Sequence, residues 1–148
     1  MSSKIIQVET AANEGDLRTL KGLLGETPNQ EEIDSAFTGA MAEAKIDVLK
    51  YLLSIGGNFS AWDYQGLYYA TYSTDTTGLE FAITNGVDIN VRSGMLLNSS
   101  IVTALNEKDN SMVKWILENG GDANLISDQS KMLLKRYGGE ELKQLFDI

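Results

Sequence analysis

The chain has 148 residues, with 12 Lys and Arg against 21 Asp and Glu, a net charge of −9, and neither Cys nor His. The missing Cys exclude disulfides, thiolate nucleophiles and zinc–thiolate sites, and the missing His exclude Ser–His and Cys–His catalytic pairs and imidazole ligands. The acidic balance argues against direct binding of nucleic acid, which requires basic surfaces, and is compatible with a basic protein partner.

From the first residues of the sequence we expect no leader peptide. Residues 1–8 carry one positive charge and a brief apolar stretch, which Glu9 and Asn13 interrupt. No apolar run approaches the roughly 18 residues that a membrane-spanning helix needs. We therefore expect a cytoplasmic protein that does not bind a membrane.

A repeated pattern runs through the chain. An apolar residue recurs at intervals of 29, 30, 34 and 29 residues, and this column should be buried in the core because it is apolar in every unit. We predict a single domain, 1–148, with units at about 5–32, 33–62, 63–96, 97–126 and 127–148. The column consists of Leu20, Leu49, Leu79, Val113 and Leu142.

Each unit has the pattern of two short helices joined by a turn. In the second unit Ile46, Leu49 and Leu52 are three residues apart, which places them on one face of a helix. A glycine that follows the second helix of a unit can end it in the left-handed conformation, and Asp or Asn then favours a polar turn. The residues at these ends are Gly56, Gly86, Gly120, Asn58, Asp88, Asn90, Asp122 and Asn124.

Two segments resemble the end of an ankyrin repeat: residues 86–90 (Gly-Val-Asp-Ile-Asn) and 120–124 (Gly-Gly-Asp-Ala-Asn). The Leu-Leu pair of that family recurs here at Leu23-Leu24, Leu52-Leu53 and Ile116-Leu117. The resemblance implies an all-α fold, an ankyrin-like helical solenoid of four to five helix–turn–helix units with atypical caps. A plain helical bundle explains the apolar spacing but not the recurring Gly-x-Asp-x-Asn. A tetratricopeptide array would have other key residues and longer helices.

The chain departs from the family in two ways. Intervals of 29 and 30 residues are shorter than the about 33 of an ankyrin repeat, so the hairpins between the first units should be clipped. The longer interval should hold a complete hairpin or an extended loop at residues 91–98. The family's Pro and His are also missing, and Thr38, Tyr68 and Val102 stand where the His would be.

The segment from Tyr51 to Val91 contains no Lys or Arg but five of the six Tyr. Ankyrin arrays bind through hairpin tips and first helices, so the resemblance implies that exposed rings and carboxylates here contact a partner. Tyr and Trp bury large areas at interfaces, and carboxylates beside them attract basic groups. The predicted partner-binding residues are Trp62, Asp63 and Tyr64 at a hairpin tip, Tyr68 and Tyr72 on a first helix, and Asp75. We expect Tyr69 to lie in the core.

The sequence shows no catalytic set, so we expect no enzyme, no cofactor and no metal ion. Neither a phosphate-binding glycine loop nor a nucleophile elbow occurs. The pairs Glu31-Glu32 and Glu140-Glu141 are adjacent, and adjacent helical residues do not face each other, so they should be capping charges on polar outer surfaces. Asp122-Ala123-Asn124 lacks the rest of a calcium loop.

The resemblance and the missing chemistry together predict a monomeric, non-enzymatic protein-binding module. We expect it to occlude a partner with a basic surface, as an immunity-type inhibitor of a basic toxin or nuclease would. One alternative is a nucleic-acid-mimicking or phage-encoded inhibitor of a host protein. Another is a scaffold or self-assembling subunit that associates through the aromatic column Tyr51, Phe81 and Trp115, which we expect to be partly buried.

Overall fold

The structure, a computed structural model, describes residues 3–148, so Met1 and Ser2 of the predicted domain lie outside the described residues. Over that range the chain forms ten α-helices and one 3-10 helix and no β-strand, which confirms the all-α prediction. The helices are α1 (Ser3–Glu14), α2 (Leu17–Leu24), α3 (Gln30–Ala42), α4 (Ile46–Ser54), α5 (Ala61–Ala70), α6 (Thr77–Thr84), α7 (Val91–Glu107), α8 (Ser111–Glu118), α9 (Asp128–Tyr137) and α10 (Glu140–Gln144), and the 3-10 helix is Ala123–Leu125.

The helices form two compact units, which are described separately. The first unit contains the chain up to Ala70 together with Thr77–Ala82, and the second contains Thr71–Thr76 together with Ile83–Ile148. In the first unit, α3 packs against both α1 and α5, while α2 packs on α1 and α4 on α3. In the second unit, α7 packs against α8, α9 and the 3-10 helix.

The link between two successive helices has the same hydrogen bond in three places. In each, the backbone N–H of a residue one or two positions before the second helix donates to a carbonyl five residues earlier, near the end of the first helix. The predicted helix–turn–helix pattern is therefore present as local geometry. The bonds join Asp16 to Ala11 (2.9 Å), Lys45 to Ala40 (2.9 Å) and Asp109 to Ala104 (3.2 Å).

The predicted helix ends are confirmed. Gly56, Gly86 and Gly120 have φ angles of 109°, 95° and 100°, a region in which a side chain would be strained. Beyond each glycine, an Asp or Asn side chain accepts a hydrogen bond from the backbone two residues on, which forms the predicted polar turn. These bonds join Asn58 to Ser60 (2.8 Å), Asp88 to Asn90 (2.9 Å) and Asp122 to Asn124 (2.9 Å).

The apolar column predicted for the core is buried in every repeat. Leu20, Leu49, Leu79 and Val113 are fully buried, and Leu142 is nearly so. The aromatic side chains predicted beside this column, Tyr51, Phe81 and Trp115, are half-buried, as expected.

The hairpin predicted at residues 91–98 is absent, because this segment belongs to helix α7. The prediction of a hairpin tip at residues 62–64 is wrong too. In both places three successive residues adopt the left-handed helical conformation: 62–64 at the start of α5, with φ of 52–65°, and 92–94 in α7, with φ of 55–85°. At the first of these places the polar turn of Asn58 passes directly into the left-handed turn at 62–64. Tyr64 closes the left-handed turn by donating its N–H to the Ser60 carbonyl at 3.2 Å. The connection is thus too short for two paired strands.

Helices α1, α3 and α5 approach one another closely because two glycines lie at their contacts. A Cβ atom added at Gly39 of α3 would lie 2.8 Å from the carbonyl oxygen of Glu9 in α1. One added at Gly66 of α5 would lie 2.8 Å from the Cβ of Met41 and 3.3 Å from the Cα of Thr38, both in α3. Real Cβ atoms essentially never come as close as 2.8 Å, so a larger residue would push these helices apart.

We expect Gly66→Ala to destabilise the protein by about 1–3 kcal/mol, because overpacking against Met41 outweighs the better helix propensity of alanine. Gly22→Ala is the matched control: Gly22 is exposed in α2, and a Cβ there would meet nothing within 4 Å. It should stabilise the protein by up to about 1 kcal/mol. Urea unfolding followed by circular dichroism measures both, and equal effects would contradict the packing argument.

Candidate functional site

The six predicted partner-binding residues are divided between the two units. Trp62, Asp63, Tyr64 and Tyr68 belong to the first unit and lie on α5, whereas Tyr72 and Asp75 belong to the second. Trp62 is 51% exposed and Tyr72 is 55% exposed. Asp63, Tyr68 and Asp75 are also exposed, and Tyr64 is half-buried.

The expectation that Tyr69 lies in the core is wrong. Its side chain is 37% exposed, its hydroxyl accepts a hydrogen bond from Gln65 Nε2 at 3.1 Å, and its ring lies 5.8 Å from that of Tyr68. The buried positions of α5 after the left-handed turn are Gly66, Leu67 and Ala70. This stripe follows helical spacing and leaves positions 68 and 69 side by side on the open face.

One cleft of the first unit is lined by residues of α1, α3 and α5, the helices that the glycines bring together. Its volume is about 310 Å³. Glu31, Ser35 and Thr38 are four and three residues apart, so they lie on one face of α3 and form one wall. The remaining lining residues are Ile5 and Glu9 from α1 and Trp62 and Gln65 from α5.

The cleft is acidic and incompletely hydrogen-bonded. Glu9 and Glu31 are exposed, and within residues 3–148 neither carboxylate forms an ion pair with a Lys or Arg. The hydroxyl of Thr38 is buried, with the residue only 5% exposed, and it has no hydrogen-bond partner among the described residues. Buried polar groups in proteins nearly always have one.

Glu32, next to Glu31, has a different and structural role. Its carboxylate pairs with Lys4 Nζ at 2.7 Å and accepts the backbone N–H of Asn29, whose own side chain caps α3 in return. The Lys4 ammonium and, secondly, the Asn29 N–H lower the pKa of this carboxyl from its ordinary value. Glu32 is a capping charge, as predicted, but it is buried, so its placement on a polar outer surface is wrong.

The lowered pKa of Glu32 predicts a pH-dependent contribution to stability. The contribution should be complete above the unfolded-state pKa of about 4.3 and should be lost as pH falls through the lower folded-state pKa. Glu32→Gln retains a capping amide oxygen but not the charge. Its difference in unfolding free energy from wild type should therefore shrink between about pH 7 and about pH 3. Urea titrations at both pH values measure this, and a constant difference would contradict it.

Sequence reasoning found one lining residue of the cleft, Trp62, and missed its acidic and hydroxyl groups. Asp63, Tyr64 and Tyr68 are not among the lining residues. The spacing of the polar residues Glu31, Ser35 and Thr38, which puts them on one face of α3, was a usable signal. The lining residues on α1, Ile5 and Glu9, carried no such signal in the sequence, because their position beside α3 depends on packing across Gly39.

Other kinds of site find little support in the part of the chain that the structure describes. Residues 3–148 contain no cluster of three or more acidic side chains arranged to hold a metal ion. No helix in this range is long and apolar enough to cross a bilayer. The second unit has a cleft of about 550 Å³, but its lining residues all lie on α9, so it is an open helix surface; they are Asp128, Lys131, Met132, Lys135 and Arg136.

Comparison with known proteins finds no family model and no curated protein that matches this chain. The resemblance to ankyrin repeats therefore depends on the motifs of the sequence alone.

Proposed function

We propose that this protein is a non-enzymatic binding module that occludes a basic protein partner, using the acidic cleft of the first unit and the exposed ring of Trp62 beside it. The observation that carries the proposal is the pair of carboxylates, Glu9 and Glu31, that line a cleft with an exposed Trp and form no ion pair with a Lys or Arg among residues 3–148. Such surfaces combine electrostatic steering with a large aromatic contact. An immunity-type inhibitor of a basic toxin or nuclease is the role that best suits this negatively charged surface.

The ankyrin-like solenoid is part of the same proposal. Its support is the recurrence of the same local links and the same polar turns, and the burial of the apolar column in each repeat. In such an array neighbouring repeats share one core, and first helices lie side by side on a binding surface. The cleft between α1, α3 and α5 would be part of that surface.

We expect Trp62→Ala to weaken partner binding by about 2 kcal/mol, or roughly 30-fold in Kd, because a central aromatic side chain often dominates an interface. Tyr137→Ala is the control, since Tyr137 is 64% exposed but belongs to the second unit. The partner is captured from the source cell, purified and titrated against each variant by calorimetry. Equal affinities for Trp62→Ala and wild type would refute the proposed site.

The inhibitory role has its own measurement. Added wild-type protein should block the partner's activity at a one-to-one ratio, whereas a scaffold would leave it unchanged. A nucleic-acid mimic would compete with DNA for the same partner, with steep salt dependence. A self-assembling subunit would show a sedimentation coefficient that rises with concentration, whereas a module that acts as a monomer would not.

A further inference from the structure

We propose that the cleft binds the guanidinium group of one arginine side chain presented by the partner. This inference rests on the proposed function, because it names the chemical group that the same site recognises. Three features of the cleft can act on one ligand: two carboxylates, a buried hydroxyl that has no partner within residues 3–148, and an exposed Trp side chain.

The first feature is charge. Glu9 on α1 and Glu31 on α3 line the cleft from two helices, and neither forms an ion pair among residues 3–148. Lys4, a basic residue of α1, is held by the carboxylate of Glu32. The cleft therefore attracts a cation, and it would repel a phosphate or a carboxylate.

The second feature is the hydroxyl of Thr38. The residue lines the cleft, and its hydroxyl is buried and lacks a hydrogen-bond partner within the described residues. A ligand that donates a hydrogen bond would satisfy its oxygen and remove the cost of burying it unpaired. A guanidinium has five N–H donors and no acceptor, so it can serve this oxygen and a carboxylate at once.

The third feature is Trp62, whose left-handed backbone conformation (φ 52°) begins α5 beside the cleft. A cation over the face of an indole ring is attracted by the ring quadrupole, and a planar guanidinium also stacks on it. Lysine suits the site less well, because its ammonium is compact and strongly hydrated and cannot form a planar fork with carboxylates.

The size of the cleft suits a small ligand such as a single side chain. Its volume of about 310 Å³ is at the lower end of the range found for small-molecule pockets. A partner helix would need an extended apolar groove, whereas this cleft has acidic and hydroxyl groups along one wall.

The test uses three blocked tripeptides that differ at one position: acetyl-Gly-Arg-Gly-amide, its lysine analogue, and its citrulline analogue, which has nearly the same shape but no charge. The chain contains two Trp, so a Trp115→Phe background makes Trp62 the reporter of a fluorescence titration. We expect millimolar binding of the arginine peptide, weaker binding of lysine, and at least tenfold weaker binding of citrulline. Equal affinities for arginine and citrulline, or no binding of arginine, would overturn the proposal.

Matched variants test the named groups. Glu9→Gln/Glu31→Gln should weaken binding of the arginine peptide at least tenfold, whereas Glu26→Gln/Glu107→Gln, the same charge change at two other exposed positions, should leave it unchanged. Thr38→Val should lower affinity several-fold while the circular dichroism spectrum stays that of wild type. Equal losses in both double variants would show that only net charge matters and would refute the cleft.

The result separates this inference from the proposed function. If the arginine peptide fails to bind but capture of the partner still depends on Trp62, the proposed function stands and the arginine ligand is wrong. If the peptide binds as expected but Trp62→Ala retains the partner, the cleft recognises arginine and the proposed function is wrong.

Discussion

Replacing Phe37 with Ala is expected to lower the free energy of unfolding by about 4 kcal/mol, the range typical of a fully buried aromatic side chain. Phe37 lies on α3, is 1% exposed, and meets the ring of Phe59 edge to face at a centroid distance of 5.1 Å. Phe59 in turn lies 6.0 Å from Phe81 within the first unit. Truncation therefore loses buried area, an aromatic pair and the packing that holds α3 in place.

Two further protein variants separate the effect of lost core packing from the general effect of losing an aromatic ring. Phe37→Leu keeps most of the apolar volume and should cost less than half as much as Phe37→Ala. Tyr137→Ala removes an exposed ring and should change the free energy of unfolding by no more than about 0.5 kcal/mol. Urea unfolding of the three proteins gives the comparison. A loss for Phe37→Ala as small as that for Tyr137→Ala would contradict the burial of this side chain.

Replacing Asn98 with Ala is expected to cost about 3 kcal/mol, because it breaks four hydrogen bonds in the second unit, three of which are partly buried. The amide nitrogen of Asn98 donates to the carbonyls of Gly94 and Leu125 at 2.9 and 3.1 Å. Its oxygen accepts the backbone N–H of Ser127 at 2.8 Å and the hydroxyl of Ser130 at 2.7 Å. One side chain thus joins α7 to the segment that leads into α9.

Asn98→Asp tests the two halves of this network. It keeps an acceptor for the two serines but loses both donated bonds and sets a carboxylate against two carbonyl oxygens, so it should also destabilise the protein. Asn124→Ala, an exposed residue in the same unit, should cost no more than about 0.5 kcal/mol. Thermal unfolding at fixed concentration measures all three. Wild-type stability in Asn98→Ala would contradict the bonding described for this residue.

Local features of the fold were predictable because each depends on neighbours in the sequence. The glycines that end helices, such as Gly86, require only a positive φ angle, and the Asx turns at Asp88 and Asp122 involve residues two apart. The buried column follows from apolar residues at one helical position in every repeat. The absence of a hairpin at 91–98 was not predictable in this way, because the hairpin was expected from the length of the interval between repeats and not from the residues at 91–98.

The candidate site was predictable only in part. The cluster of rings without basic residues directed attention to Trp62, which does line the cleft. Tyr69 was misplaced, because the left-handed turn at 62–64 sets which residues of α5 face inward. The role of Glu9 depends on a contact between α1 and α3, which no local pattern indicates.

The sequence by itself determined that this chain is all-α, that its helices recur at about thirty residues, and where glycine and Asx turns end them, since these follow from short-range periodicity and backbone preference. Only the tertiary structure decided which charges are paired. Glu31 and Glu32 are adjacent in the chain, yet one lines an acidic cleft and the other is buried against Lys4. Successive residues of a helix point about 100° apart, so their surroundings depend on which helices pack on each side.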